Sequence, residues 1–176
     1  DPKISWYAGG VFNEAGRTKG DAFSYPAYAG LKEEAAEVVK IAGYKSLFRM
    51  TVRAEREAFV ARGSTVSDSF FAVLGLRPLL GRLLSDEDDR SGAPPATVIS
   101  YSLWEREYAL DPEVLGRSLL INGNPFTIIG VLPRGFQGLR PSEVTAFYVP
   151  MSAQPQLEPR WSAADASQWW IQLVAR

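Results

Sequence analysis

Cysteine and histidine are both absent from the 176 residues of this chain. Zinc sites and thiol chemistry therefore lack their usual ligands, and a serine or cysteine nucleophile activated by histidine is excluded. The lack of cysteine leaves the cellular compartment open. It suits an oxidising periplasm, where a domain of this size is stable without disulfides, and it suits a cytosolic domain equally well.

Long apolar runs are missing as well. No stretch approaches the roughly 18 residues that a membrane-spanning helix needs. The first residues, Asp1-Pro2-Lys3, have neither the basic nor the apolar region of a signal peptide. We therefore expect these 176 residues to be soluble.

Neither sign of charge dominates the chain. Nineteen basic and 20 acidic side chains give a formal net charge of −1. A nucleic-acid partner would require a clustered basic surface, so we predict no nucleic-acid partner. Hydrophobic residues make up 46% of the chain, which suits a packed core in one ordinary domain or two small lobes.

The first 44 residues predict a strand, a helix and a second strand. The pattern favours a strand over residues 4–7, a polar loop through Gly20, and a helix over residues 24–36 capped by Ser24. Residues 38–44 are rich in β-branched and aromatic side chains and predict the second strand. Two strands joined by such a helical crossover are expected to be parallel neighbours.

The rest of the chain predicts a β-rich region with short helices. A tight turn is expected at Asn122-Gly123, and a short helix is expected to start at a Ser67 cap and to end at Gly75. Strands are predicted over residues 48–52, 57–62, 96–100, 118–121, 126–132, 144–149 and 169–174, short helices over 68–74, 102–108 and 112–115, and a loop over 150–165. Five side chains are expected to be buried core anchors: Phe70, Phe71, Leu74, Trp104 and Phe126.

Residues 86–89, Asp-Glu-Asp-Asp, are the strongest candidate for a metal or acid–base site. A calcium loop needs spaced ligands, a sharp glycine turn and a closing bidentate glutamate, whereas four adjacent acids point in different directions. Residues 82–92 are instead expected to form an acidic loop in which Ser85 acts as a cap, with the acidic run near the amino end of a helix, where the helix dipole favours negative charge. We predict no metal site and no cofactor.

Carboxylate pairs and tryptophans give a second, weaker chemical pattern. Paired carboxylates hydrolyse glycosides, but nothing in the spacing of Glu105, Glu107 and Asp165 marks such a pair. Tryptophan side chains stack on sugars, although packing explains them more simply here. The tryptophans concerned are Trp104, Trp161, Trp169 and Trp170. No catalytic residue is predicted.

The glycines at 130, 135 and 138 follow neither the dinucleotide-binding nor the P-loop spacing, so we predict a strand-ending turn in place of a phosphate site. Arg134 and Arg140 lie near this turn. Contact with a partner or a lipid headgroup and simple exposure to solvent both remain open for these two side chains.

Residues 66–135 carry an ordered set of short motifs. They are S-x-x-F-F at 67–71, G-R-x-L followed by D-E-D at 81–88, V-I-S at 98–100, W-x-R at 104–106, D-P-x-x-x-G at 111–116 and I-N-G-x-P-F-T-I-I-G-V at 121–131. Each motif alone is weak, but their order and spacing together are hard to produce by chance. In this set the chain resembles the extracytoplasmic core domain of MacB-like ABC transporter permeases, above all the orphan permeases without a fused ATPase.

The resemblance covers residues 23–176 and implies an α+β fold with two lobes. A porter-like βαβ lobe would comprise residues 1–47 and 169–176. A mixed β-rich lobe, the sabre, would be inserted within residues 48–149, and residues 150–168 would form a connecting loop. The family continues beyond this point, so residues 1–176 are expected to be a fragment of one such domain.

The resemblance also implies a function without catalysis. Such a domain lies outside the cytoplasmic membrane and transmits ATP-driven motion to the export of a drug, a peptide or a lipoprotein. The implied partners are a second permease copy or half, a cytoplasmic ATPase subunit reached through membrane helices, and a periplasmic adaptor protein. The alternative is a free-standing module that binds carbohydrate or peptide.

The end of the chain carries a structural prediction. Residues 169–174 are expected to join the sheet that contains residues 4–7. An apolar strand at the end of an incomplete lobe exposes backbone donors and acceptors, which invites pairing with a second chain. We therefore expect a neighbouring copy to cover this face, or the chain to associate.

Overall fold

The computed structural model describes residues 6–7, 11–14, 17–140, 143–159, 162 and 164–176. Twelve strands lie in that part of the chain: β1 Trp6–Tyr7, β2 Val11–Glu14, β3 Arg17–Gly20, β4 Ile41–Arg53, β5 Phe59–Val66, β6 Leu80–Gly81, β7 Ala96–Ile99, β8 Ser118–Ile121, β9 Asn124–Val131, β10 Phe147–Pro150, β11 Gln168–Trp169 and β12 Gln172–Ala175.

Helices are few and short in the same residues. They are α1 Tyr25–Glu34, α2 Phe70–Val73, α3 Tyr101–Tyr108 and α4 Gln154–Leu157, with 3-10 turns at Pro112–Val114 and Met151–Ala153. A β-rich sheet with a few separate helices confirms the predicted α+β class.

One mixed sheet of eight strands organises the molecule. Its order is β12-β4-β5-β10-β7-β9-β6, and β8 pairs with both β4 and β9. The pairing therefore closes a ring of six strands, β4-β5-β10-β7-β9-β8. Strand β4 is 13 residues long. Its first residues pair with β12 and its last residues pair with β8, so it runs from the sheet edge into the ring.

Three clusters of buried side chains fill the fold. The first combines side chains from the six ring strands with Trp104 of α3, and the second places Phe70 and Phe71 of α2 against Tyr148. The third joins Tyr28 of α1 to Trp170. Four of the five predicted anchors, Phe70, Phe71, Trp104 and Phe126, are buried as expected. Leu74 is only partly buried and packs at the margin of the second cluster.

The predicted parallel pairing of residues 4–7 with residues 38–44 is wrong for the part that the structure describes. Strand β1 pairs in parallel with β11, and β4 pairs antiparallel with β12 and β5. The C-terminal segment thus takes the place next to β4. Local sequence could not show this, because the competing strand comes from the far end of the chain. The companion prediction, that a strand over residues 169–174 joins the sheet of residues 4–7, holds only for Trp169, which pairs with Tyr7 in β11. It is wrong for residues 172–174, which belong to β12 and join the larger sheet beside β4.

Two predicted loops contain regular structure. The loop expected before Gly20 contains the antiparallel pair β2–β3, although its residues Arg17–Gly20 have little intrinsic strand preference. The loop expected over 150–165 contains the 3-10 turn Met151–Ala153 and helix α4. Pro155 stands at the start of this helix, where a missing N–H costs nothing.

The two strands predicted at 38–44 and 48–52 are one strand, β4. A bulge interrupts it between Leu47 and Met50, and Arg49 there adopts a positive φ of 56°. Bulges bend a strand and increase its twist. The bulge therefore lies where β4 passes from its pairing with β12 to its pairing with β8 in the ring. The hairpin of β8 and β9 is confirmed, with Asn122 and Gly123 at φ 50° and 82° in its turn.

Candidate functional site: an acidic cleft beside helix α1

A cleft of about 470 Å³ opens between α1, the residues before α2 and the acidic loop of residues 82–92. We call it the acidic cleft. It is lined by Tyr25, Tyr28, Ala29, Lys32, Glu33, Ser67, Asp68, Asp86 and Asp89. Four of these side chains are acidic and one is basic, so the cleft is negatively charged although the chain as a whole is nearly neutral.

Helix α1 forms one wall because its start and its buried face are fixed. The Ser24 hydroxyl accepts a hydrogen bond from the Ala27 amide at 3.4 Å and caps the helix. The Tyr28 ring packs against Gly43, where an added Cβ would lie 3.3 Å from the ring. Lys32 follows Tyr28 by one helical turn, so both side chains face the same side of the helix.

Lys32 is paired across the cleft with Asp68. Its ammonium donates to both carboxylate oxygens of Asp68, at 2.6 and 2.7 Å. Burial alone would lower the pKa of Lys32, but the hydrogen bond and charge of Asp68 raise it. The pair ties α1 to the segment that precedes α2. Because Lys32 is more than one third exposed, solvent screens the pair and its contribution to stability is small.

Asp68 and Asp86 form a carboxyl pair at the floor of the cleft. Burial would raise the pKa of Asp68, yet hydrogen bonds with Asp86 and Lys32 bring it below the ordinary value. The hydrogen bond and the charge of Asp68 in turn raise the pKa of Asp86. Two carboxyl groups in contact do not both ionise freely, so a proton or another cation is favoured between them.

Asp89 is the most perturbed acid of the cleft. One carboxylate oxygen accepts a hydrogen bond from the backbone amide of Ser152 at 2.7 Å. Burial raises the pKa of Asp89 to about 6; the Ser152 hydrogen bonds lower it, and the charge of Asp68 raises it further. Asp89 thus connects the acidic loop to the 3-10 turn after β10 and titrates near neutral pH.

The neighbouring acid, Asp88, points away from the cleft. It accepts from Arg82 at 2.6 and 2.8 Å and from the amide and hydroxyl of Ser85 at 2.8 and 2.9 Å. The acidic loop predicted over residues 82–92 is confirmed, but the capping role of Ser85 is wrong, because residues 86–89 form a turn and Ser85 donates to Asp88. The four acids were predicted to point in different directions; this holds for Asp88, whereas Asp86 and Asp89 line the same cleft.

The described residues contain no group of three acidic side chains placed to hold a metal ion. The acidic cleft instead offers single carboxylate oxygens spread over its walls, together with the phenol groups of Tyr25 and Tyr28. Such a cleft is suited to several hydrogen bonds with one positively charged group. No pair of groups in it forms a nucleophile with an adjacent histidine or lysine base.

The other acids named from the sequence have separate surroundings. Glu107 is bound by Arg106 at 2.6 Å, Glu105 is exposed, and Asp165 accepts from Ser167 at 2.8 Å. The Trp104 indole donates to the Asp111 carbonyl at 2.8 Å. Trp170 is fully buried and Trp169 half-buried, whereas Trp161 lies outside the described residues.

The glycines and arginines near the predicted turn have the following surroundings. A Cβ at Gly130 would lie 2.0 Å from the Arg82 carbonyl oxygen, so this glycine allows two backbones to approach. The Arg134 guanidinium lies 5.5 Å from the centre of the Tyr101 ring. Arg140 is 3.9 Å from Glu143 and remains about half exposed.

Sequence reasoning identified the acids of residues 86–89 but missed Lys32, Asp68 and Ser152 as their neighbours. Lys32 and Asp68 are 36 residues apart, and Asp89 and Ser152 are 63 apart. The one local signal for these neighbours was Lys32, which follows the buried Tyr28 by one helical turn and is therefore held at the same side of α1.

Comparison with known proteins places this fold among transporter domains. The chain is 33% identical over 92 residues to the macrolide export ATP-binding/permease protein MacB of Campylobacter jejuni. The matched segment is 51% of this chain and 14% of that protein. The match therefore spans about a seventh of the length of that relative. None of the helices in the described residues is long and apolar enough to cross a membrane.

Three solved structures share the fold. The extracellular domain of the noncanonic ABC-type transporter YknZ from Gram-positive bacteria has a TM-score of 0.65 at 23% identity, over 88% of this chain and 72% of that one. The periplasmic region of MacB from Actinobacillus actinomycetemcomitans scores 0.61 at 20% identity, over 84% and 62%. A domain of a permease protein from Porphyromonas gingivalis scores 0.60 at 16% identity, over 94% and 69%.

The family itself is shown by sequence. The sequence model of the MacB-like periplasmic core domain matches residues 4–175, which is nearly the whole chain. The resemblance inferred from the motifs of residues 66–135 is thereby confirmed. The chain belongs to the family of MacB-like periplasmic core domains.

Proposed function

We propose that this chain is a non-catalytic extracytoplasmic domain of an ABC-type permease and that it transmits ATP-driven conformational change to the export of a substrate. The observation that carries the proposal is the family match over residues 4–175. The ATPase would reside in a separate chain, as in the orphan permeases. The family match favours this function over a free-standing carbohydrate- or peptide-binding module.

The substrate and the partners are part of the proposal. The relative from Campylobacter jejuni is named for macrolide export. By analogy with such permeases, the cargo would be a drug, a peptide or a lipoprotein. The domain would work beside a second permease copy or half and be coupled through membrane helices to a cytoplasmic ATPase subunit. A periplasmic adaptor protein would contact it from outside.

The path of β4 supports a domain that transmits motion. We place the lobe boundary near residue 47, with residues 1–47 and 169–176 in one lobe, the inserted lobe within 48–149, and a connection over 150–168. The bulge between Leu47 and Met50 falls at this boundary. Because β4 continues through it, displacement of the lobe that carries α1 is passed directly to the ring of strands.

The extracytoplasmic placement is tested with a single introduced thiol. Residues 1–176 contain no cysteine, so Val38→Cys provides the only thiol of this segment, and any cysteine elsewhere in the full-length protein is replaced by serine. Val38 is 89% exposed in the turn after α1. In intact cells that make the full-length protein, a membrane-impermeant maleimide is expected to label V38C.

The matched control is Val98→Cys, because Val98 is fully buried in the second core cluster. The V98C variant is expected to react only after denaturation. Labelling of V38C that requires permeabilised cells would place the domain on the cytoplasmic side and contradict the proposed function.

A further inference from the structure

The acidic cleft contains more hydrogen-bond acceptors than its own donor can satisfy. Lys32 is the one basic side chain that lines it, and both oxygens of Asp68 already hold its ammonium. Asp86 is exposed at the floor, and the Ser152 amide binds one oxygen of Asp89. Against the larger effect of Asp68, the charge of Arg90, in the same loop, lowers the pKa of Asp86 slightly. The cleft therefore retains net negative charge, and its lysine binds only one of its four acidic side chains.

A second observation points to a ligand in the same cleft. Tyr28 is only 4% exposed, and its hydroxyl has no hydrogen-bond partner in the part of the chain that the structure describes. Tyr28 lines the cleft and lies one turn before Lys32 on the same side of α1. Buried hydroxyl groups in folded proteins are normally hydrogen-bonded. The phenol is thus an unused hydrogen-bonding group, able to donate or to accept, in a wall that is rich in carboxylates.

The arrangement selects the class of ligand. A divalent metal needs several oxygens that converge on one point, and the described residues place no three acids in that way. An ammonium or guanidinium group has several N–H donors, which suits oxygens spread over two walls. The exposed Tyr25 ring adds an aromatic face of the kind that attracts organic cations. A volume of about 470 Å³ lies in the usual range for small ligands.

We propose that the acidic cleft binds an organic cation, an ammonium or guanidinium group held between Asp86 and Asp89 beside Tyr25. The group would belong to a small amine or to a basic side chain of a peptide. The proposal goes beyond the transport role, because binding is a property of this domain alone. It is tested on the isolated chain, whereas the transport proposal is tested in membranes.

Binding to this cleft depends on pH in a defined direction. The groups that face the cation are Tyr25, Lys32, Glu33, Asp68, Asp86, Asp89 and Arg90. The pKa of Asp89 is raised to about 6 and the pKa of Asp86 is raised as well, so protons compete with the ligand at these two acids. Affinity is therefore stronger near pH 7.5 than near pH 5, since both acids must be ionised to hold the cation.

The experiment is a titration of the isotope-labelled 176-residue chain followed by amide NMR. The probes are butylamine and butylguanidine, with butanol as the neutral control. A lysine peptide, acetyl-Gly-Lys-Gly-amide, is compared with its norleucine counterpart. The Ser152 amide is the reporter because it donates to Asp89. Saturable shifts at Ser152 and Asp86 are expected for the cationic probes, with dissociation constants at or below about 10 mM, and not for the neutral ones.

Variants connect the shifts to the cleft. Asp86→Asn and Asp89→Asn are each expected to weaken binding at least about fivefold by removing an ionic hydrogen bond. Glu87→Gln is the matched control, because Glu87 is exposed in the same loop and does not line the cleft. Asp86 is exposed, so D86N tests the site even where D89N disturbs folding. Tyr28→Phe is expected to weaken binding while retaining the fold.

Each outcome decides the proposal. Binding of the free amines assigns the cleft to small amines, and binding of the lysine peptide alone assigns it to a basic peptide segment; both support the proposal. No saturable shift with any cationic probe overturns it. A loss in E87Q as large as in D86N overturns it too, because the attraction would then be unspecific. Stronger shifts of the same amides by magnesium or calcium chloride alone would make the cleft a metal site instead.

Discussion

Ser67 and Gly43 hold each other through two hydrogen bonds. The Ser67 amide donates to the Gly43 carbonyl at 2.9 Å, and the Ser67 hydroxyl accepts from the Gly43 amide at 3.1 Å. The sequence predicted Ser67 as the cap of the next helix, but its hydroxyl serves β4 instead. The bridge fixes the start of α2, and with it Asp68 of the acidic cleft, to the first half of the long strand.

Ser67→Ala is therefore expected to lower stability. The substitution leaves the buried Gly43 amide without its side-chain acceptor, which costs about 1–3 kcal/mol of unfolding free energy. Urea unfolding measures the loss. Ser91→Ala, at an exposed serine of the acidic loop, is the matched control and should change the unfolding free energy by less than about 0.5 kcal/mol. Equal effects of the two variants would contradict a role for the Ser67–Gly43 bridge.

Phe71→Ala tests the second core cluster. Phe71 is 1% exposed, and its ring lies edge-on to Tyr148 with centroids 5.5 Å apart. Truncation of a buried aromatic leaves a cavity and is expected to cost about 3–5 kcal/mol. Phe48→Ala removes the same atoms from a half-exposed position on β4 and should cost much less. A loss below about 1 kcal/mol for F71A in chemical denaturation would show that α2 is not a core element.

Asp89→Asn is expected to stabilise the chain at neutral pH. Asp89 has a folded-state pKa of about 6, above its ordinary 3.8, so the folded state holds the proton more tightly than the unfolded state. The contribution of Asp89 to stability is therefore greatest near pH 4 and is lost as pH rises to about 6. The asparagine side chain keeps an oxygen that can accept from the Ser152 amide, and it carries no charge. After allowance for solvent screening, D89N should gain about 1–2 kcal/mol near pH 7 and nothing near pH 4.

Urea unfolding at the two pH values gives the comparison, with Glu87→Gln as the control for a charge removed from the same loop. Equal stability of D89N and the unaltered chain at both pH values would show that Asp89 is an ordinary solvated acid. Binding sites often keep a charged side chain that lowers the stability of the fold. A higher unfolding free energy of D89N together with a loss of cation binding would therefore support the proposed role of the acidic cleft.

Gly130→Ala tests the close approach of β9 and Arg82. The new Cβ would lie 2.0 Å from a backbone oxygen, which no rotamer change relieves. The expected loss is about 1–3 kcal/mol or more, because backbone must move. Gly135→Ala is the control, since no atom lies within 4 Å of its Cβ position. Thermal unfolding that is equal for the two variants would contradict the packing assigned to Gly130.

Local chemistry predicted the parts of the fold that depend on neighbours in sequence. Asn122-Gly123 supplied the two positive φ angles of the β8–β9 hairpin, and the strand patterns at residues 48–52 and 57–62 correspond to parts of the paired strands β4 and β5. The capped helix α1 was predicted from Ser24, whose hydroxyl does accept from Ala27.

Long-range placement was not accessible in the same way. Strand β11 pairs with β1 from the opposite end of the chain, and this displaced the parallel neighbour expected for residues 4–7. The acidic cleft depends on pairs such as Lys32 with Asp68, whose separation of 36 residues leaves no local pattern. Burial then sets the pKa of Asp89, a quantity that residue type alone does not carry. Association of the chain through its edge strand stays a prediction.

The most direct test of the transport role is the distance between two copies of the domain through the ATP cycle. In the full-length permease with its ATPase, a spin label on the Val38→Cys variant reports that distance by pulsed electron resonance. The account predicts that its distribution shifts between the nucleotide-free and ATP-trapped states, and that a label on V60C of the ring shifts with it, because β4 joins the two regions. Identical distributions at both positions in the two nucleotide states would contradict a domain that transmits ATP-driven motion.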